Sequence, residues 1–249
     1  MYDAMMAETV RITGHEGDEL EAYLAWPLTP GTHGGVVVLH SMSGYDNATK
    51  QITRWFAVNG YAAICLDLHH RHVPGLASDG SAALAPSCAV LIAPDEQVVG
   101  DVEGAVAVLR SIPSSNGKVG VVGYCSGGRQ AFLTACRLPL DAAVDCYGPF
   151  VVGRPPDGFP LLVEPVIGLV KELSCPLLGL FGAEDSFPSP AETAELETEL
   201  TRHGKPYEFH TYDGAGHGFF AVDRPSFRPQ VALDGRRRIR EFFARTLAV

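Results

Sequence analysis

A buried-strand pattern that ends in a glycine-flanked cysteine constrains the fold of this chain more than any other feature. Lys118 to Tyr124 read KVGVVGY, a run of small and β-branched apolar residues typical of a parallel strand buried on both faces. Cys125 follows within the pattern G-x-C-x-G, and Gly128 to Leu138 has the pattern of a helix. A strand, a sharp turn with a reactive side chain at its tip and a helix together predict a nucleophile elbow.

The two glycines that flank the cysteine, Gly123 and Gly127, indicate a turn too tight for a Cβ atom at either position. The thiol of Cys125 then lies at a helix N-terminus, where unpaired N–H groups and the helix dipole favour the thiolate. The alternative interpretation is a glycine-rich turn between strand and helix that carries a buried structural cysteine.

The composition fits one large domain, because 249 residues are enough for one α/β domain and few for two. Apolar residues make up 46% of the chain and charged residues 19%, which supports a sizeable core.

The formal net charge of −10 argues against nucleic acid or an anionic membrane as a partner. The chain shows no signal-peptide pattern and no apolar run long enough to span a bilayer, so we expect a cytoplasmic protein.

The cysteines and histidines give no clear metal signature. The six cysteines form no C-x-x-C pair, so we expect neither a zinc site nor disulfides. The run His69-His70-Arg71-His72 is rich in ligand types, but consecutive residues cannot all face one ion. We therefore predict no metal ion.

Strand and helix patterns alternate along the rest of the chain. A hairpin is predicted first, then strands and helices in turn, with an irregular segment over 69–94 that favours a functional loop or a short helix. The hairpin covers 8–13 and 19–26, the strands 35–40, 61–67, 118–124, 142–147, 176–181 and 206–212, and the helices 48–59, 96–109, 128–138, 191–203 and 227–247. This order implies an α/β fold with a mostly parallel, doubly wound sheet and helices on both faces.

A cysteine nucleophile needs a base, and the base needs a group that orients it. In the α/β-hydrolase fold the chain order is nucleophile, acid, histidine, each in a loop after a strand. Asp185 follows the strand that ends at Phe181, and His217 lies in a glycine-rich loop after the strand that ends at Tyr212. The order predicts a triad of Cys125, Asp185 and His217, with Glu184 as the alternative acid.

These motifs resemble those of the dienelactone hydrolase family. GYCxGG is preceded by SNGKVGVVG and followed by GAEDSF and GAGHGF, and the resemblance spans residues 8–247. It implies the α/β-hydrolase fold, a single domain and hydrolysis of small esters or lactones without a cofactor. It also implies that Cys125 forms a thioester, that Asp185 orients His217, and that the backbone N–H groups of Ser126 and Met42 form the oxyanion hole.

The chain departs from the family in the loop after its third strand. Members close to the name-giving enzyme carry there a glutamate that pairs with the resting thiol, whereas this chain has Ser41, preceded by His40. Three interpretations stay open: an ion pair between Cys125 and His217 replaces the glutamate, His40 contacts the thiol, or His40 is a packing residue at the strand end.

A second departure concerns the arginines that hold the substrate carboxylate in the family. The segment 78–99 contains neither Arg nor Lys, and the position four residues after His217 is Ala221. Arg71 and Arg224 are the candidates to replace them. We expect a more neutral or apolar acyl group than that of dienelactone. The predicted substrate pocket comprises His40, Ser41, Arg71, Tyr147 and Gly218.

The apolar segment 148–174 fits a lid, a dimer contact or an ordinary outer helix, so both a monomer and a homodimer are compatible with the sequence.

Three functions stay open as well. The first is a hydrolase of small esters or lactones, the second an acyl transferase or cyclase that uses the same thioester. The third is a catalytically idle protein that binds a small ligand.

Overall fold

The computed structural model of the protein describes residues 4–42, 44–71, 93–159 and 163–248. Most of the irregular segment predicted at 69–94 lies outside the described residues, so its interpretation as a loop or short helix stays a prediction. Among the described residues, no helix combines the length and the apolar character that crossing a membrane requires.

One sheet organises the molecule, and its eight strands lie in the order β1-β2-β4-β3-β5-β6-β7-β8. The two pairings that involve β2 are antiparallel and the other five are parallel. The strands are β1 (Met5–Thr13), β2 (Glu19–Pro27), β3 (His33–Leu39), β4 (Ala62–Leu66), β5 (Ser115–Tyr124), β6 (Ala142–Cys146), β7 (Leu177–Gly182) and β8 (Tyr207–Tyr212). The predicted hairpin is confirmed, with β1 starting three residues earlier than expected.

Helices cover both faces of this sheet, as the sequence predicted. They are α1 (Asn47–Val58), α2 (Asp95–Ser111), α3 (Ser126–Arg137), α4 (Pro190–Arg202) and α5 (Pro229–Thr246). Neighbouring strand residues face opposite layers, because successive side chains of a strand alternate. Val37 packs with the core under α2 and α3, whereas Val36 and Val38 pack with the core under α1 and α5.

Capping side chains fix where two of the helices begin. Asp46 accepts a hydrogen bond from the Thr49 N–H at 2.8 Å and so caps α1. Ser189 caps α4 in a capping box with Glu192, whose carboxylate accepts from the Ser189 N–H at 2.7 Å. Asp185, the predicted acid of the triad, is therefore not the cap of α4.

In the described part of the segment 148–174 the only helix is a short one, which packs against α3. An ordinary outer helix was one interpretation of this segment, and the chain forms a 3₁₀ helix at Ile167–Glu172. Pro165 and Gly168 disfavour a longer α-helix there. Arg129 of α3, itself buried, donates to the Glu164 carbonyl at 2.6 Å and to both Asp95 carboxylate oxygens.

We expect Gly104→Ala to lower the free energy of unfolding by about 1–3 kcal/mol. Gly104 lies in α2, where an added Cβ would overlap the Thr13 carbonyl oxygen. Urea-induced unfolding measures the loss. Gly168→Ala is the matched control, because an added Cβ there has no atom within 4 Å, and its change should stay within about 0.5 kcal/mol. Equal losses in the two variants would contradict this packing.

Candidate active site

The turn between β5 and α3 has the strained geometry that the sequence predicts for a nucleophile elbow. Cys125 has φ 56° and ψ −125°, a conformation that a residue with a side chain rarely adopts. Its N–H donates to the Cys146 carbonyl at 3.0 Å, and its carbonyl accepts from the Gly128 N–H at 2.7 Å. The Cys125 side chain is partly exposed, which argues against the alternative of a buried structural cysteine.

Close backbone contacts explain the two glycines of the elbow. A Cβ at Gly123 would overlap the carbonyl of Gly127, and a Cβ at Gly127 would overlap the carbonyl of Leu39. The elbow therefore packs directly against the end of β3, whose Leu39 is paired with Gly123 in the sheet. This contact brings the loop after β3 next to Cys125.

His217 and Asp185 meet as predicted from their order along the chain. His217 Nδ1 lies 2.9 Å from Asp185 Oδ2, and the other carboxylate oxygen accepts from the Phe187 N–H at 2.9 Å. Asp185 is buried, whereas the alternative acid Glu184 is exposed. The imidazole is therefore oriented by Asp185 and not by Glu184.

The charge state of His217 depends on the groups at its two ring nitrogens. Burial acts to lower the pKa of His217, but hydrogen bonds to Asp185 and to Cys125, together with their negative charges, raise it to about 10. His217 thus lies between the carboxylate and the thiol, and its imidazolium form is favoured near neutral pH.

Aromatic packing holds the same imidazole from the side. The Tyr147 ring lies 5.1 Å from the His217 ring in an edge-on arrangement and 4.9 Å from the Phe219 ring. Tyr147 has φ 46°, so its backbone is also in the left-handed region. Gly218 has φ 75°, which lets the chain turn directly after His217.

The two predicted oxyanion donors lie at neighbouring strand ends. Ser126 is the first residue of α3, so its N–H has no acceptor within the helix. Met42 lies in the turn after β3, where the Gly44 N–H donates to the Ser41 carbonyl at 3.0 Å. Both belong to the edge of the sheet at which the elbow contacts β3.

His40 is buried at the strand end in this structure and does not line an open pocket. Its Nδ1 lies 2.7 Å from the Ser41 carbonyl oxygen, and its Nε2 accepts from the Leu68 N–H at 3.3 Å. Burial lowers the pKa of His40 to about 4. The earlier interpretation of His40 as a strand-end residue therefore fits better than a contact with the thiol.

The assignment of Arg71 to the substrate pocket needs correction, because its guanidinium is occupied by protein groups. It donates to Asp18 at 2.7 Å, to Asp101 at 2.9 Å and to the His15 carbonyl at 3.2 Å. Asp101 is fully buried, so Arg71 neutralises a carboxylate inside the fold. Arg224 lies exposed in the turn after His217 and stays a candidate.

The described part of the chain contains no group of three or more His, Cys, Asp and Glu side chains placed to hold a metal ion. Within the His-rich run, His70 Nδ1 contacts the Asp67 carbonyl at 2.8 Å, and His69 packs edge-on against His40. His72 lies outside the described residues.

Asp145 is a residue near the site that the sequence reasoning missed. It lies in β6 opposite Gly123, is fully buried, and its Oδ1 accepts from the Gly148 N–H at 2.7 Å. Its Oδ2 has no hydrogen-bond partner within the described chain. Burial raises the pKa of Asp145 to about 7 against the opposing effects of the Gly148 hydrogen bond and of His217. The signal in the sequence was a lone acid within the apolar strand AAVDC.

Comparison with known proteins supports the motif resemblance. The model of the dienelactone hydrolase family matches residues 20–247. The chain is 32% identical over 243 residues to a carboxymethylenebutenolidase from Pseudomonas putida, with 96% of this chain and 97% of that protein covered. A protein from Bradyrhizobium, provisionally described as a 2-oxo-3-(5-oxofuran-2-ylidene)propanoate lactonase, is 30% identical over 233 residues, with 92% of each chain covered.

A solved structure extends this similarity to the fold. A protein from Klebsiella pneumoniae, provisionally described as a dienelactone hydrolase, superposes with a TM-score of 0.85 at 27% identity. The superposition covers 97% of this chain and 99% of that chain. The α/β-hydrolase fold inferred from the sequence is thereby confirmed.

We expect Arg71→Leu to lower the free energy of unfolding by about 3–5 kcal/mol, because it leaves the buried Asp101 carboxylate without its cationic partner. Urea-induced unfolding measures the loss. The matched control is Arg11→Leu, which breaks an exposed pair with Glu19 and should change stability by less than about 1 kcal/mol. A raised KM for small esters in Arg71→Leu, at unchanged stability, would instead place this guanidinium at the substrate.

Asp145→Asn should become more stable relative to the wild type as the pH rises. The unfolded carboxyl ionises near pH 4, whereas the buried one keeps its proton up to about pH 7. The wild type therefore loses stability between these values, and the variant does not. From pH 5 to pH 8 we expect the difference between the two proteins to shift by about 2–3 kcal/mol in favour of the variant. Urea titrations at both pH values measure it, and a difference independent of pH contradicts the burial of a titrating carboxyl.

Proposed function

The chain belongs to the dienelactone hydrolase family, and from this premise we propose that it hydrolyses small esters or lactones through a thioester on Cys125. The observation that carries the proposal is the position of His217. Its Nδ1 is held by the buried carboxylate of Asp185, and it also hydrogen-bonds the thiol of Cys125 at the strained elbow. This arrangement supports the roles of nucleophile for Cys125, proton carrier for His217 and orienting carboxylate for Asp185.

The reaction begins from a thiolate of Cys125 paired with the imidazolium of His217. The thiolate attacks the acyl carbon, and the carbonyl oxygen becomes an oxyanion that accepts from the N–H groups of Ser126 and Met42. As the tetrahedral intermediate collapses, the ester C–O bond breaks and His217 gives its proton to the leaving oxygen. An alcohol, or the free hydroxyl end of an opened lactone, and a thioester result.

Water completes the cycle without any further reactant. Neutral His217 takes a proton from a water molecule while the water oxygen attacks the thioester carbon. The C–S bond then breaks, which releases a carboxylic acid and restores the thiolate and the imidazolium. Asp185 stabilises the charge on His217 throughout the cycle.

The raised pKa of His217 supports an ion pair in the resting enzyme. A pKa of about 10 keeps the imidazole protonated near neutral pH, with Cys125 among the groups that raise it. This pair takes the place of the glutamate that relatives close to the name-giving enzyme carry where this chain has Ser41. The nucleophile is then activated before substrate binds.

The substrate we propose carries a neutral or apolar acyl group and is not dienelactone itself. Arg71 is held by Asp18 and Asp101, and Ala221 offers no charge after His217. Aromatic rings lie next to the acid loop instead: Phe187, whose N–H binds Asp185, lies 5.5 Å from the Phe150 ring and 5.7 Å from the Phe159 ring. Apolar rings favour apolar acyl groups over carboxylates.

The test is hydrolysis of short-chain p-nitrophenyl esters by the purified full chain. Cys125→Ala and His217→Ala should both reduce turnover to background, because each removes a group that takes part in bond breaking. Cys136→Ala is the matched control: this cysteine is buried in α3, away from the elbow tip, and turnover should stay within about twofold. Turnover that survives Cys125→Ala would overturn the proposal.

Product analysis distinguishes hydrolysis from the other functions considered. Mass spectrometry after acid quenching should show Cys125 carrying the acyl group, and the free acid should be the main product even with added amines or alcohols. An acyl ester or amide as main product would indicate a transferase. Ligand binding without turnover, with a Cys125 inert to iodoacetamide, would indicate a binding protein.

A further inference from the structure

His40 lies buried at the point where the chain leaves β3 and enters the loop with Met42. The residue is 3% exposed, and its ring packs edge-on against the His69 ring with centroids 4.8 Å apart. Both ring nitrogens contact backbone groups, on Ser41 and on Leu68. A residue that only filled space here would need no polar atoms.

The backbone partners determine which nitrogen carries the hydrogen. The Leu68 N–H, 3.3 Å from Nε2, can only donate, so Nε2 is the acceptor and carries no hydrogen. The neutral ring then has its hydrogen on Nδ1, which donates to the Ser41 carbonyl at 2.7 Å. Burial lowers the pKa of His40 to about 4, which keeps this tautomer and this donor near neutral pH.

The hydrogen bond to Ser41 sets the direction of the next N–H group. In a trans peptide the C=O and the N–H point to opposite sides of the same plane. The peptide whose oxygen belongs to Ser41 has its N–H on Met42, so a fixed carbonyl fixes that N–H as well. The Gly44 N–H, 3.0 Å from the same oxygen, adds a second donor.

The elbow lies close to this peptide. An added Cβ on Gly127 would lie 2.7 Å from the His40 carbonyl oxygen. Gly127, two residues after Cys125, therefore packs against His40, the residue before Ser41. The Met42 N–H needs to point at the acyl oxygen within narrow angular limits to stabilise charge there.

We infer that His40 is a positioning residue that aims the Met42 N–H into the oxyanion hole by donating to the Ser41 carbonyl. The inference rests on the proposed function, since it presupposes an oxyanion at Cys125. It assigns His40 a role behind the site and not in contact with substrate. It also makes the loop after β3 depend on the turn after β4 through the Leu68 N–H.

Two amide variants separate the two hydrogen bonds of His40. In His40→Asn the side-chain amide reaches the position of Nδ1 and keeps a side-chain donor for the Ser41 carbonyl. In His40→Gln the amide reaches the position of Nε2 and removes that side-chain donor. We expect His40→Gln to lower kcat for p-nitrophenyl esters about 10- to 100-fold at unchanged KM, below the full loss of an oxyanion donor. His40→Asn should stay within about fivefold of the wild type.

Two further readouts distinguish positioning from general damage. Alkylation of Cys125 by iodoacetamide forms no oxyanion, so its rate should be the same in the wild type and both variants. Thionoesters place a sulfur, a weak acceptor, in the oxyanion hole, so His40→Gln should lose much less activity on a thionoester than on the matching ester. His40→Phe, which keeps the ring shape and loses both hydrogen bonds, should behave as His40→Gln and serves if that variant does not fold.

The outcomes separate this inference from the proposed function. Equal kcat in the wild type and His40→Gln, or a parallel loss of ester turnover, thionoester turnover and alkylation, overturns the role of His40 while leaving the thiol mechanism intact. Absence of ester hydrolysis in the wild type, or its survival in Cys125→Ala, overturns the proposed function and this inference with it.

Discussion

The close crossing of α3 over the ends of β3 and β6 is the constraint on which the site depends. The Gly127 carbonyl lies where a side chain of Gly123 would begin, and the Leu39 carbonyl of β3 lies where a side chain of Gly127 would begin, so only glycine fits at these two positions. That crossing holds Cys125 at a positive φ, which costs on the order of 1–3 kcal/mol and is stable only when the surrounding packing determines it. The strain at Cys125 and the position of its thiol at the elbow tip thus arise from the same backbone contact.

The same crossing explains the buried acid beneath the elbow. Asp145 Oδ1 lies where a Cβ of Gly128 or of Gly148 would be, so its carboxyl fills the gap between the start of α3 and the chain after β6. The hydrogen bond from the Gly148 N–H fixes the turn that carries Tyr147, and Tyr147 packs on His217. Cys125 and His217, the proposed nucleophile and base, are therefore positioned by one connected set of contacts.

The sequence was informative wherever a function depends on local order and spacing. The elbow followed from its glycines, and the meeting of Asp185 with His217 followed from strand order, because parallel strands end at one edge. The pairing of Arg71 with Asp101, 30 residues apart, and the use of both His40 nitrogens by backbone groups depend on where distant elements pack. No local pattern encodes where those distant groups meet.

Two histidines of this site illustrate how surroundings divide tasks between identical side chains. Burial without a charged partner lowers the pKa of His40 to about 4, so that ring stays a neutral donor. For His217, contacts with Asp185 and Cys125 outweigh burial and raise the pKa to about 10, so that ring carries a proton. In the proposed roles, a positioning donor needs a neutral ring with one fixed N–H, whereas a general acid needs a ring that is protonated before the leaving group departs. Because the two environments push the pKa values to opposite sides of neutral pH, both conditions hold at the same pH.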